Sequence, residues 1–321
     1  MPEAGEHLRL AAFGFGVDRV TAEVSSALEA ADVPSILVKG PAIATWLYRG
    51  DESRLYGDTD LLIRARDWKR AIATLEGLGF EDDLGPLAHP RMESRAGYPW
   101  SRAADEASVD LHCTLFGIGA DPEAVWAAFS ESTHGQTIGG VEVRMPSYPA
   151  RLLHISLHAV QHGGETLPKA MIDLERALTQ VPEATWKQAL ELAERLQAAE
   201  TFAAGLQLTP EGRRLSTRIG ADRDGSTAVS LRLEWAPLSE GFEELARTPG
   251  LGAKLALLVR ELVPNPAFMR WWTPLARRGR LGLVASYPWR WLWLAYRVVP
   301  GYRAWRRAAR RDSERIRGFD R

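Results

Sequence analysis

Gly57-Asp58-Thr59-Asp60-Leu61-Leu62-Ile63 places two carboxylates one residue apart at the head of an apolar run. The spacing predicts a β-strand over 58–64. Alternate residues of a strand share a face and lie roughly 6.6 Å apart, so Asp58 and Asp60 project to one side at the rim of a sheet. Oxygen donors of this kind suit hard divalent cations. Two such ions, roughly 3.5–4 Å apart, activate an attacking oxygen and stabilise a leaving one. A solvated turn ahead of a strand would give the same string, so the pair needs company.

Two further segments supply it. Ile36-Leu37-Val38-Lys39-Gly40-Pro41-Ala42 reads as a short buried strand, a glycine turn and a helix whose first turn holds Pro41, where proline is tolerated. A glycine that lets backbone approach a ligand, just ahead of free helix N–H groups, suits a triphosphate. Ser108-Val109-Asp110-Leu111-His112-Cys113-Thr114-Leu115 reads as another strand and sets a third carboxylate, Asp110, among β-formers.

Glycine turn, Asp-x-Asp and a later strand Asp, in that order, resemble the DNA polymerase β-like nucleotidyltransferase superfamily. The closer resemblance is to a bacterial group of uncharacterised nucleotidyltransferase-like proteins. It rests on Lys39-Gly40, Arg54, Asp58-Thr59-Asp60-Leu61-Leu62, Asp110-Leu111-His112 and Leu153-His154-Ile155-Ser156-Leu157-His158-Ala159, over roughly residues 30–180. The resemblance implies in-line attack of an acceptor oxygen on the α-phosphorus of a nucleoside triphosphate, with ATP the expected donor. Asp58 and Asp60 would ligate Mg²⁺ or Mn²⁺. Asp110 would ligate the ion on the nucleophile side or help deprotonate the acceptor. The superfamily usually carries a small residue after the turn glycine, often Ser. This chain has Pro41, so phosphate contacts would fall on backbone N–H groups around Gly40, on Lys39 or on Arg54. Two rival readings stay open: Arg54 as a structural partner of Asp51 or Glu52, and Lys39 as the neutraliser of the aspartates.

The chain has 321 residues, 45% hydrophobic and 25% charged, as a globular protein would. Its single cysteine, Cys113, excludes intrachain disulfides and fits a reducing cytosol. No secretory apolar segment follows Met1, so a cytoplasmic location is expected. The net charge of −1 conceals an asymmetry: residues 268–321 hold fourteen Arg, three acids and six of the twelve Trp, a balance of +11.

Strands over 35–39, 58–64, 108–115 and 141–145 alternate with helices over 15–31, 41–49, 66–78 and 122–130. This argues for an α/β (α+β) fold with a mixed sheet. Residues 81–105 read as a long loop or a poorly defined hairpin. From Ser147 the pattern turns helical over 148–163, 168–180 (after a Gly163-Gly164 break) and 183–207. Residues 209–229 read as loop and 239–263 as helix. The expected organisation is a nucleotidyltransferase-like domain over 1–146, a helical domain closing the cleft over 147–267 and an Arg/Trp-rich helical tail over 268–321.

His154, His158 and His162 fall at i, i+4 and i+8 on one helix face. Zinc is disfavoured, because it needs a third or fourth ligand. Either these are polar helix positions with one buried imidazole, or His158 or His162 meets nucleotide or acceptor in the cleft. Lys169 and Asp173 belong to the same candidate cleft, Asp173 as a base for acceptor activation. The apolar stretch 281–299 holds Arg290 near its middle, where membrane insertion would cost roughly 2.5–3.5 kcal/mol, so a span is disfavoured. Three roles stay open for the tail: a packed helical pair, peripheral contact with a membrane surface, or, least favoured, nucleic acid.

The expected activity is metal-dependent transfer of a nucleoside monophosphate to a hydroxyl or phosphate of a small molecule, peptide or protein. The alternative is a catalytically silent nucleotide-binding or scaffold protein anchored by its tail.

Overall fold

Every residue of the strand Thr59–Ile63 (β2) is buried, as a central strand covered on both faces must be. In the computed structural model, which describes residues 2–48, 54–83, 97–162, 168–223, 231 and 238–319 (without the side chains of 2–13, 240 and 311–319), β2 lies inside a five-stranded mixed sheet. The strands are β1 (Ser35–Leu37), β2, β3 (Glu81–Asp82), β4 (Tyr98–Arg102) and β5 (Ala107–His112), in the spatial order β1-β2-β5-β4-β3. Only β2 and β5 run parallel; the other neighbours are antiparallel. A separate hairpin, β6 (Thr133–Ile138) and β7 (Val141–Pro146), packs beside β1.

The two sheet faces have different fates. Leu37, Leu61, Ile63, Val109 and Leu111 point into a core shared with Val20, Val24 and Leu28 of α1 (Pro2–Ala30) and Ala71 and Leu75 of α3 (Trp68–Gly77). Ile36 and Leu62 point the other way, into a second core built on α5 (Tyr148–Gln161). That core also takes in α2 (Pro41–Leu47), α4 (Pro122–Ser130), α6 (Pro168–Gln180), α7 (Glu183–Arg195), α8 (Ala199–Gln207) and α9 (Pro210–Ile219). Residues 150–160 of α5 are buried without interruption, so this helix is covered on all sides.

The expected fold class holds, and the differences have local causes. The helix expected over 183–207 is two helices. Gln197 takes the left-handed conformation at φ 54°, and Ala198 N–H closes back on Ala193 C=O at 2.7 Å, a helix stop written without glycine. Residues 210–219, expected as loop, are α9, capped by the Thr209 hydroxyl on Gly212 N–H and started by Pro210. Strand β6 was not expected, because Thr133–Thr137 is partly or fully exposed and carries no apolar alternation. Residues 84–96 of the 81–105 segment, the Gly163-Gly164 break and 224–230 lie outside the described residues.

The chain divides into two compact units, residues 1–84 with 89–223, and 85–88 with 224–321. In the second, α10 (Ser239–Arg247), α11 (Leu251–Leu262) and α12 (Pro266–Trp272) pack with the 41-residue α13 (Gly279–Phe319). The helix expected over 239–263 breaks between α10 and α11 at Thr248-Pro249-Gly250. Arg290 is buried there between the Phe268 and Trp272 rings, its Nε donating to Glu261 C=O at 3.1 Å. Among the described residues no helix is long and apolar enough to cross a membrane.

Candidate active site

In the parallel pair β2–β5, Asp60 stands opposite Asp110 and Leu62 opposite His112. Strand alternation puts Asp60, Asp110 and His112 on one face, the face that α5 covers. Each offers one donor atom, and the three atoms lie within 4.8 Å of one another. Among the described residues this is the one group of three or more His, Cys, Asp or Glu placed to hold a metal ion.

Asp60 is the centre of the group. Lys39 Nζ donates to its Oδ1 at 2.6 Å, and His112 Nε2 stands 3.0 Å from the same oxygen. Its Oδ2 is buried and has no hydrogen-bond partner among the described residues. Burial pushes the Asp60 carboxyl up, but the Lys39 ammonium and the His112 imidazole outweigh it and hold the group well below the usual carboxylate range. Burial likewise works against charge on Lys39, and Asp60 more than offsets it, so the ammonium is held charged. Asp110 behaves oppositely: burial first, then the Asp60 charge, push its carboxyl up. Two carboxylates and an imidazole, with one buried oxygen unpartnered, fit a divalent cation.

Asp58, half-buried just ahead of β2, stands outside this donor group. Its charge still acts on Lys39, Asp110 and Lys169. Gly40 caps α2 with φ 59° and ψ −118°, a conformation that side chains resist, and α2 runs for seven residues from Pro41. Gly97, at φ 150°, lies against the His112 ring: a Cβ there would stand 3.2 Å from His112 Cε1.

Arg54 and Asp173 meet each other. Arg54 Nε donates to both carboxylate oxygens at 2.9 and 3.0 Å, Nη2 donates to Oδ2 at 2.7 Å, and Tyr48 hydroxyl donates to Oδ1 at 2.7 Å. The pair is almost wholly buried and ties the segment before β2 to α6. Asp51 and Glu52, the partners weighed from the sequence, lie outside the described residues.

His154, His158 and the C-cap His162 follow one another along α5, with ring centroids 5.9 and 4.6 Å apart, the second pair meeting edge to face. Burial, then the Lys39 charge, push His154 and His158 far below the ordinary imidazole range, so both are neutral. With Lys39, His112, Leu115 and Gln161 they line a crevice of about 10 Å³, room for about one water. His158 therefore backs the Lys39–Asp60 pair. Lys169 is half-buried and pushed down by burial and by Arg54.

Residues 10–211 match the family described as uncharacterised nucleotidyltransferase. The chain belongs to that family. Its class is accordingly that of a transferase. No curated protein matches the chain. Among solved structures it is similar to the antibiotic-resistance factor ANT(2'')-Ia, at 21% identity and TM-score 0.40, covering 55% of this chain and 91% of that one. The lincomycin-bound lincosamide adenylyltransferase LnuA is 15% identical, with TM-score 0.35 and coverage of 50% and 94%. An antigenic nucleotidyltransferase-like protein from Paracoccidioides brasiliensis is 17% identical, with TM-score 0.39 and coverage of 66% and 95%.

One member of the donor group, His112, enters the sequence reading only within the Asp110-Leu111-His112 motif. His112 was assigned no role, although the i, i+2 rule applied to Asp58 and Asp60 also puts it on the face of Asp110.

Proposed function

We propose that this nucleotidyltransferase moves a nucleoside monophosphate from a nucleoside triphosphate, ATP by preference, to a hydroxyl or phosphate oxygen of a small molecule, peptide or protein. The observation that carries the reading is the buried, unpartnered Oδ2 of Asp60, set among Asp110, His112 and Lys39. Asp60 and Asp110 would hold the Mg²⁺ or Mn²⁺ ion, and Asp58 would serve from the rim. When bound, the metal polarises phosphoryl oxygens and draws off developing negative charge.

Lys39 and the backbone at Gly40 orient the phosphates. The acceptor oxygen bonds to the α-phosphorus, the bond from that phosphorus to the bridging oxygen breaks, and pyrophosphate leaves. Where the acceptor is a hydroxyl, its proton goes to Asp110, which stands beside Asp60 in the parallel register. Arg54, Asp173 and His158 frame the nucleotide's side of the site, the first two by fixing α6 against the segment before β2.

Calorimetry of the full chain with Mg²⁺ and ATP, followed by pyrophosphate release with candidate acceptors, tests this. Nucleotide binding that requires the divalent ion is expected. Asp110→Ala should still bind MgATP and fail to release pyrophosphate. Absence of binding of any nucleoside triphosphate, with either ion, would end the proposal.

A second reading concerns peripheral contact of this enzyme with an anionic membrane surface. It is favoured by large exposed apolar side chains at helical spacing, Leu251, Leu255 and Val259 on α11 and Leu281, Val284, Leu292 and Tyr296 on α13. They share the second unit with the arginine surplus. The full chain should float with anionic vesicles in low salt, and less so with zwitterionic ones. Equal absence from both would rule the contact out.

A further inference from the structure

Helix α13 keeps one face exposed along most of its length. Leu281, Val284, Pro288, Leu292, Tyr296 and Val299 follow one another at steps of three or four residues, and all are exposed. Arg303, Arg306 and Arg310 continue the same steps and are exposed as well. The face therefore changes from apolar to cationic within about one turn, between Val299 and Arg303. A groove of about 680 Å³ opens at that change. Phe242 of α10, Val298, Val299 and Tyr302 line its apolar part, and Arg303, Arg306, Arg307 and Arg310 line the rest.

The groove is of the size that small ligands occupy, roughly 300–1,000 Å³. Its wall is held in place by rings: Phe242 stands 5.4 Å from Tyr302 and 6.2 Å from Trp305, and Tyr302 stands 5.6 Å from Trp305. The guanidinium groups keep charge to offer. No acid stands three or four residues from Arg303, Arg306 or Arg307 along the helix, so pairing between successive turns is closed to them. Glu243, beside Phe242 on α10, is engaged elsewhere, accepting from Trp305 Nε1 at 2.9 Å and from Arg247 Nε at 2.7 Å.

We propose that this groove takes the phosphomonoester head of an anionic membrane lipid, whose acyl chains lie along the apolar part of the face. The proposal rests on the second reading above and gives that membrane contact a headgroup. A phosphomonoester carries about −1.5 to −2 charge near neutral pH and three acceptor oxygens, and guanidinium forks match phosphate oxygens two at a time. Other occupants fit the face less well. A nucleic acid or an acidic peptide would use the arginines and leave Leu281 to Val299 in water. A second copy laid antiparallel on this face would set arginines over apolar side chains, and a parallel one would set arginine against arginine.

Flotation of the full chain with phosphatidylcholine vesicles tests this, the vesicles containing either phosphatidic acid or phosphatidylglycerol and matched in surface charge. Binding to the phosphatidic acid vesicles should be about fivefold tighter or more. Arg303→Gln with Arg306→Gln should abolish that preference. Arg278→Gln with Arg280→Gln, an equal loss of charge at exposed positions outside the groove, should keep it. In calorimetry, dihexanoyl phosphatidic acid below its micelle concentration should bind, and inorganic phosphate at the same concentration should not. Equal flotation with both lipids, or a preference that survives in the groove variant, overturns the headgroup site and leaves the membrane reading standing. No binding of the short-chain lipid, or binding of inorganic phosphate as tight, overturns it too. If the chain floats with neither vesicle, the site and the membrane reading fall together.

Discussion

The first unit buries two ion pairs of unlike construction. Arg54 and Asp173 close on each other: both carboxylate oxygens accept from the guanidinium, and Tyr48 adds a further donor. Lys39 and Asp60 do not close. The ammonium meets one oxygen, His112 crowds that same oxygen, and the other is bare. Burying charge is tolerable only when its hydrogen-bonding capacity is met. The first pair meets it and serves to join the segment before β2 to α6. The second leaves capacity over, beside a second carboxylate, and that surplus is what an added cation would use.

The largest effect should come from removing the charge of the open pair. Asp60→Asn is nearly isosteric, and turnover should fall by about 10³-fold or more, about 4 kcal/mol of transition-state stabilisation. Asp173→Asn should leave turnover per folded molecule within a few-fold. Pyrophosphate release measured on both variants decides this, and equal losses would erase the distinction.

Stability should show the reverse. Arg54→Met strands a buried carboxylate and should cost about 3–5 kcal/mol in urea melts. The double variant Arg54→Met with Asp173→Leu should recover much of that loss, because an apolar pair can replace a buried ion pair. Failure to recover would mean that the pair does more than join two segments.

Lys39→Met sharpens the comparison further. It strands Asp60, but beside a place for a cation. The expected loss of about 2–3 kcal/mol in EDTA should shrink when Mn²⁺ or Mg²⁺ is in excess, since binding to the native state alone stabilises it. No such rescue should appear for Arg54→Met. Thermal melts with and without metal separate the two cases.

A further effect concerns pH. His154 and His158 have folded pKa values lowered far below the ordinary one. Below about pH 6.5 the unfolded chain binds protons that the folded chain refuses. Stability should therefore fall on acidification from pH 6.5, by up to about 1.4 kcal/mol per unit for each imidazole. Asp60, whose folded pKa is depressed, contributes stability that is lost only below its unfolded value of about 3.9. Asp110, raised, works with the opposite sign and partly offsets the loss. His154→Leu should flatten the slope between pH 6.5 and 5. An unchanged slope would place the proton uptake elsewhere.

Where the physics is local, the sequence was readable. Asp58-Thr59-Asp60 ahead of an apolar run, and Asp110 among β-formers, follow from strand alternation alone, and the parallel register then brings Asp60 and Asp110 together. What was hidden depends on distance or on departures from habit. The partner of Arg54 lies 119 residues away, with no periodic signal to join them. The stop between α7 and α8 uses Gln197 where glycine is customary. Helix α9 buries only two large apolar side chains, Leu215 and Ile219, so its apolar face was short and easily read as loop. His112 was within reach of the same two-residue rule, but it lies in an apolar strand with no paired ligand motif in sequence, so only its membership of Asp110-Leu111-His112 was legible.

Gly97 bears on how this chain can vary. Its φ of 150° strains any side chain, and a Cβ there would stand 3.2 Å from His112 Cε1, so the ring would have to give by a few tenths of an ångström. A substitution there would not remove any bond that the site makes. It would turn an aromatic plane by some degrees and so change where a nitrogen lone pair aims. Alanine at 97 would therefore act through the His112 ring from just ahead of β4, although glycine itself offers no side chain to the centre.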